Sequence, residues 1–156
     1  MLAKGYPGQT CSVARSLELV GERWTLLIIR DIFRRKRRFE ELQASLGIAR
    51  NVLSSRLDAL VDEGILERRL YQERPERHEY FLTEKGLDLW PVLVALINWG
   101  DRYCAGEMGP PAAIVHKGCG GRVNDRRICE SCGAELEVRD ARMLEGAAAR
   151  EHLAPA

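Results

Sequence analysis

Residues Gly47 to Arg69 constrain this chain most. After Gly47, Leu53, Leu57 and Leu60 recur at helical spacing on one face, while Asn51, Ser54, Ser55 and Asp58 occupy the other. Gly64 ends that helix, and Ile65-Leu66-Glu67-Arg68-Arg69 reads as the start of a strand. A helix that only supports a core tends to carry Lys and Glu outward. A face of Asn, Ser and flanking Arg instead offers short or planar hydrogen-bonding groups able to meet base edges. A solvated amphipathic helix has the same periodicity, so the neighbouring segments must decide between the two.

Upstream, Ser12 reads as the cap of a first helix reaching about Leu19 and closed by Gly21, and Glu22 to Phe33 as a second, with Trp24, Leu27, Ile28 and Ile32 inward. Five basic residues, Arg34 to Arg38, lead into a short helix over Phe39 to Leu46. Two helices joined through a turn at Gly47 have a helix-turn-helix layout. Downstream, residues 65–72 and 77–82 read as antiparallel strands around Glu73-Arg74-Pro75-Glu76, where proline suits a loop but not a ladder. That hairpin is the expected wing. A long helix follows from Thr83 to about Tyr103, with Leu89, Leu93, Leu96, Ile97 and Trp99 as its apolar stripe and a kink or late start at Pro91. The fold class is mainly α with a small β-hairpin: a winged helix-turn-helix domain over residues 11–105, after a flexible arm at 1–10. A small zinc-ribbon-like segment spans 106–140, and 141–156 reads as a flexible tail.

Charge and cysteine usage narrow the function. Residues 1–82 carry 15 Lys/Arg against 12 Asp/Glu, and residues 83–156 carry 9 against 11. The front half is therefore basic, which is compatible with a nucleic-acid partner, but so weakly that the pattern of charge must carry the case. No signal-peptide-like or bilayer-length apolar run occurs, so a cytoplasmic protein without a membrane partner is expected. Three of the five cysteines fall within Cys119 to Cys132. In a reducing compartment that clustering favours metal or thiol chemistry over disulfides.

His116-x2-Cys119 and Cys129-x2-Cys132, each trailed by glycine, flank a short hairpin. A Cys3His set suits tetrahedral zinc, and the glycines permit the turns that aim the sulfurs at one point. Zinc is the expected cofactor. Reduced, metal-free cysteines beside turn-forming glycines are the alternative. A thioredoxin-like reading fits poorly, because strand-like sequence rather than a helix follows Gly133.

Four stretches resemble the HxlR family of bacterial winged-helix regulators, relatives of the MarR group. They are Cys11-Ser12-Val13, Arg23-Trp24-Thr25-Leu26-Leu27-Ile28-Ile29-Arg30, Arg38-Phe39-Glu40-Glu41-Leu42 and Tyr80-Phe81-Leu82-Thr83-Glu84-Lys85-Gly86. Together they cover roughly residues 11–103. The resemblance implies a homodimer with paired recognition helices on a near-palindromic operator. Where the family has a glycine-containing turn before Arg-Phe, this chain has Arg34-Arg35-Lys36-Arg37, and its recognition helix starts at Ala49 without a Ser or Thr cap.

On this reading Arg50, Asn51, Ser54 and Ser55 face double-stranded DNA, with Arg50 suited to guanine and Asn51 to adenine. Arg37 and Arg38 neutralise phosphates, Arg74 and Arg77 flank the wing tip, and Arg56 is either a phosphate contact or a snorkelling, salt-bridged side chain. Cys11 matches the family's N-terminal cysteine at a helix start, a position that favours thiolate, and Cys104 is its expected partner across a dimer in an oxidant switch. A small-molecule effector is the other expected trigger. No catalytic residue set is present, so the chain is read as a non-enzyme. The competing reading is a zinc-ribbon enzyme or RNA-modification subunit whose winged helix makes protein contacts.

Overall fold

The computed structural model describes residues 5–107 and 109–153. Residues 1–4 of the expected arm and 154–156 of the expected tail lie outside them. The chain divides into two compact units, one through Gly86 and one from Leu87 onward. The long helix after the wing thus belongs to the second unit, whereas the sequence reading extended the first domain to residue 105.

In the first unit, α1 (Ser12–Val20) is capped by Cys11, not Ser12: the Cys11 Sγ accepts the Ala14 N–H at 3.4 Å, and Ser12 is already helical. Helix α2 (Thr25–Phe33) begins three residues later than expected, because Glu22 to Trp24 form a turn in which the Thr25 N–H reaches the Glu22 carbonyl. It buries Ile28, Ile29 and Ile32, and with them Asp31, whose Oδ1 lies 2.7 Å from Arg30 and 3.1 Å from Arg34. The basic run closes α2 with a left-handed residue. Arg35 has φ 66°, the Arg35 N–H donates to Ile32 and the Lys36 N–H to Asp31. That pair of hydrogen bonds is a Schellman cap, made here without the glycine such a position normally uses.

Helix α3 (Phe39–Leu46) starts where the Glu41 carboxylate accepts the backbone N–H groups of Arg37 and Arg38 at 2.9 and 3.0 Å. Those two bonds hold the Glu41 carboxyl below its usual range. Gly47 ends α3 at φ 64°, and α4 (Arg50–Asp62) follows three residues on with no side-chain cap, as expected from Ala49. Strands β1 (Leu66–Glu73) and β2 (Glu76–Leu82) pair antiparallel, with Leu66 opposite Leu82 and Arg69 opposite Glu79, around a turn at Arg74-Pro75. Alternation places Leu66 and Tyr80 on the core side and Glu67, Arg69, Glu79 and Phe81 on the outer side. Ile28, Ile29, Leu42, Leu53, Leu57, Ile65 and Leu66 are fully buried, each burial contributing about 1.5–3 kcal/mol.

The Thr83-Glu84-Lys85-Gly86 string ties the hairpin shut. The Thr83 N–H donates to the Ile65 carbonyl, its hydroxyl lies 2.6 Å from the Gly64 carbonyl, and Lys85 Nζ reaches the Glu63 carbonyl at 2.6 Å. A Cβ on Gly86 would meet the Ile65 carbonyl oxygen at 2.3 Å. The string is therefore a backbone lock between the end of α4 and the end of the wing.

The helix expected over 83–103 is broken. Short α5 (Glu84–Leu87) ends before Asp88-Leu89, and α6 (Trp90–Tyr103) restarts with Pro91 in its first turn, where a missing N–H costs nothing. Trp90, Leu93 and Val94 are buried, but Leu96 and Trp99 of the expected stripe are exposed, so α6 has two apolar faces. Strand β3 (Ala112–His116) pairs antiparallel with β4 (Ala141–Glu145), and α7 (Gly146–Leu153) packs on both. Residues 141–153, expected as a tail, thus complete this unit. Ala149 and Leu153 cover Ala113, Val115 and Leu144, a surface that β3 would otherwise leave open.

Candidate nucleic-acid interface and metal centre

Helix α4 turns Leu53, Leu57 and Leu60 inward and leaves Arg50, Asn51, Ser54 and Ser55 exposed in its first two turns. The buried leucines fix its rotation, and the left-handed Gly47 fixes its direction after α3. A polar, uncapped helix N-terminus exposed to solvent is suited to entering a major groove. The Arg50 guanidinium sits 4.6 Å above the Phe39 ring, so the start of α3 orients the start of α4.

The structure separates the other expected arginines. Arg56 is half-buried and pairs with Glu22 at 3.1 Å, which favours its salt-bridged reading over a phosphate contact. Arg38 is held by Glu79 at 2.9 Å and lies 4.6 Å above Tyr71. Arg37 lies 4.3 Å above Phe81, and no ion pair involves it among the described residues. Arg74 and Arg77 are exposed at the wing tip, where Glu73 and Glu76 face each other across the strands. Arg69, Tyr71 and Phe81 were missed by sequence reasoning. The signal was their shared parity in the hairpin, which puts Arg69 diagonal to Phe81 on the outer face.

The metal-type cluster assembles as its spacing implied. One donor atom from each of His116, Cys119, Cys129 and Cys132 lies within 4.8 Å of every other. His116 Nδ1 is 3.2 Å from Cys119 Sγ and 3.3 Å from Cys132 Sγ, and the Cys119 and Cys129 sulfurs are 3.4 Å apart. Tetrahedral zinc, with bonds of about 2.0–2.3 Å, holds its donors about 3.5 Å apart. The residues therefore fit, and the cluster can bind a metal ion through Nδ1 of His116.

Two glycines make room for it. A Cβ on Gly121 would sit 2.5 Å from Cys129 Sγ, and one on Gly118 would sit 2.9 Å from His116 Nε2. Cys129 is buried, yet its thiol is brought down to about 6, chiefly by the backbone N–H of Cys132 and also by that of Ser131. A Gly121 N–H likewise favours the Cys119 thiolate, but sulfur hydrogen bonds to Cys129 and Cys132, with burial, outweigh it and raise that thiol. Cys11 and Cys104 are exposed free thiols, Cys11 capping α1 and Cys104 ending α6. They lie in separate units. Among the described residues no helix is long and apolar enough to cross a membrane.

A helix pair joined by a left-handed glycine, a second helix with an exposed polar face and a hairpin locked beside it define a winged helix-turn-helix protein. The chain matches the HxlR-like helix-turn-helix family over residues 19–108 and belongs to it. It is 51% identical over 129 residues to an uncharacterized HTH-type transcriptional regulator of Mycobacterium tuberculosis, covering 83% of this chain and 82% of that one. The crystal structure of PA1607, assigned as a transcription factor, is similar with a TM-score of 0.69 and 36% identity, over 86% of this chain and 94% of that one. The redox regulator HypR in its oxidized form is similar with a TM-score of 0.53 and 29% identity, over 59% of this chain and 96% of that one. The protein is thus a transcriptional regulator with a helix-turn-helix fold.

Proposed function

We propose that the protein binds a near-palindromic operator in double-stranded DNA as a homodimer. The observation that carries this reading is the exposed Arg50, Asn51, Ser54 and Ser55 face on a helix whose opposite face is fully buried. Dimerisation is supported by the second apolar face of α6. Val92, Leu96, Trp99 and Tyr103 are exposed and recur at spacings of four, three and four, as on a coiled-coil seam. The wing tip, through Arg74 and Arg77, reaches an adjacent groove or its phosphates.

Zinc is the metal that the Cys3His cluster suits, supplying a structural cross-link between the two knuckles and β3. Thiol oxidation is the trigger that the likeness to a redox regulator favours, with Cys11 as sensor and Cys104 as its partner across the dimer; a small-molecule effector is the alternative. Fluorescence anisotropy with labelled genomic duplexes at two salt concentrations tests the DNA reading. Log affinity is expected to fall linearly with log salt, by about 0.9 for every phosphate neutralised. Salt-independent binding, or none, overturns it.

A further inference from the structure

Arg37 and Arg69 come from different elements, the loop before α3 and the middle of β1, yet both guanidiniums lie 4.3 Å from the centre of the same Phe81 ring. They are therefore no farther apart than twice that distance. Two like charges within that distance repel modestly, and an anion that reaches both relieves the repulsion. The one carboxylate paired with either is Glu67, which bonds Arg69; among the described residues Arg37 has no ion-pair partner. Arg38 and Arg56, by contrast, are already neutralised by Glu79 and Glu22.

The backbone that carries the ring is tied to the loop before α3. Phe81 is half-buried in β2, and its neighbour Tyr80 donates a backbone hydrogen bond to the Arg37 carbonyl at 2.8 Å. The bridge between Arg38 and Glu79 adds the same loop to the edge of the hairpin. Phe81 therefore stands at the joint between the helix-turn-helix and the wing, and a guanidinium stacked on its ring loses less freedom when it binds.

We infer that Arg37 and Arg69, oriented by Phe81, form a phosphate clamp at the base of the wing. The inference rests on the DNA-binding reading above and adds Arg69 as a contact and Phe81 as a positioning residue. Its ligand is one or two adjacent backbone phosphates of duplex DNA, so the clamp adds affinity without sequence preference. Arg69 leaves Glu67 for the phosphate, a charge-assisted exchange that keeps its guanidinium paired.

The test uses the full chain, a labelled mixed-sequence duplex and a salt titration, with circular dichroism to show that each variant is folded at the assay temperature. Arg69→Ala is expected to lower the salt slope by about one unit, because one neutralised phosphate is lost. Phe81→Leu keeps both charges, so the slope should stay while affinity falls about tenfold, and Phe81→Tyr should restore affinity to within about twofold, since tyrosine also offers a ring face. A purely structural role for Phe81 would lower thermal stability and leave the affinity of the folded protein unchanged, which would overturn the positioning role. If Phe81→Leu does not fold, the exposed Arg69 decides: an unchanged slope in Arg69→Ala overturns the clamp. Absence of salt-dependent binding by the parent protein instead overturns the DNA reading, and the clamp falls with it.

Discussion

Gly121→Ala separates a formed metal centre from glycines that merely make turns. The added Cβ would sit 2.5 Å from Cys129 Sγ, 2.5 Å from Ser131 Oγ and 2.6 Å from Ser131 Cβ. Ordinary contacts of this type are about 3.5–4 Å, so the overlap is on the order of 1 Å. Side-chain rotation cannot move Ser131 Cβ, and the knuckle backbone that carries it is tied by the Cys129 N–H to the Ala134 carbonyl and by the Glu130 N–H to the Arg122 carbonyl. The backbone must move instead. Overpacking of this kind costs about 1–3 kcal/mol, and a donor displaced from a tetrahedral site, like the loss of an outer-shell partner, lowers metal affinity about 10–100-fold. The assay is competition for zinc against a chromophoric chelator, with circular dichroism to follow unit 1. The expected result is weakened zinc binding with the Leu53–Leu57–Leu60 helix intact. An alanine variant that takes up one zinc per chain as tightly as the parent would refute the argument, and a parent that takes up none would remove the metal centre altogether.

Arg35→Gly is expected to stabilise the protein by about 0.5–1 kcal/mol in urea denaturation: it removes the strain of an L-residue at φ 66°, against a smaller loss from the more flexible unfolded chain. Glu41→Gln should lower stability near neutral pH, and that difference should vanish in acid. The folded carboxyl is depressed, so its contribution is complete above the ordinary carboxylate range and is lost as pH falls through the lowered value, which a pH series of thermal melts will show. Leu96→Glu, on the exposed α6 face, should shift light scattering from dimer to monomer and leave helix content unchanged; a variant of unchanged mass rules out that seam. Under mild peroxide or quinone, Cys11→Ser should keep operator affinity while the parent's changes, and an identical change in both leaves Cys11 as the α1 cap alone.

Local chemistry alone made much of this protein legible. The leucine spacing of α4, the Gly47 turn, the period-two strands around Pro75 and the paired Cys/His knuckles each act within about seventeen residues or fewer, and each formed as its sequence implied. The resemblance to the HxlR family held because its motifs lie in that same local framework; the Thr83 to Gly86 string proved to be a lock for the wing. What sequence could not decide was where charge ends up once distant segments meet. Arg37, Arg38 and Arg69 look equivalent in sequence, yet folding neutralises Arg38 with a residue 41 positions away and stacks Arg37 and Arg69 on one ring. Likewise, Ala-rich residues 146–153 have too weak a pattern to form a helix alone, since a short helix without partners cannot recover its nucleation cost. The exposed side of β3 and β4 supplies that partner. Tertiary structure thus selected which partner each charge meets and which marginal segments become ordered, because both depend on neighbours brought together only by the fold.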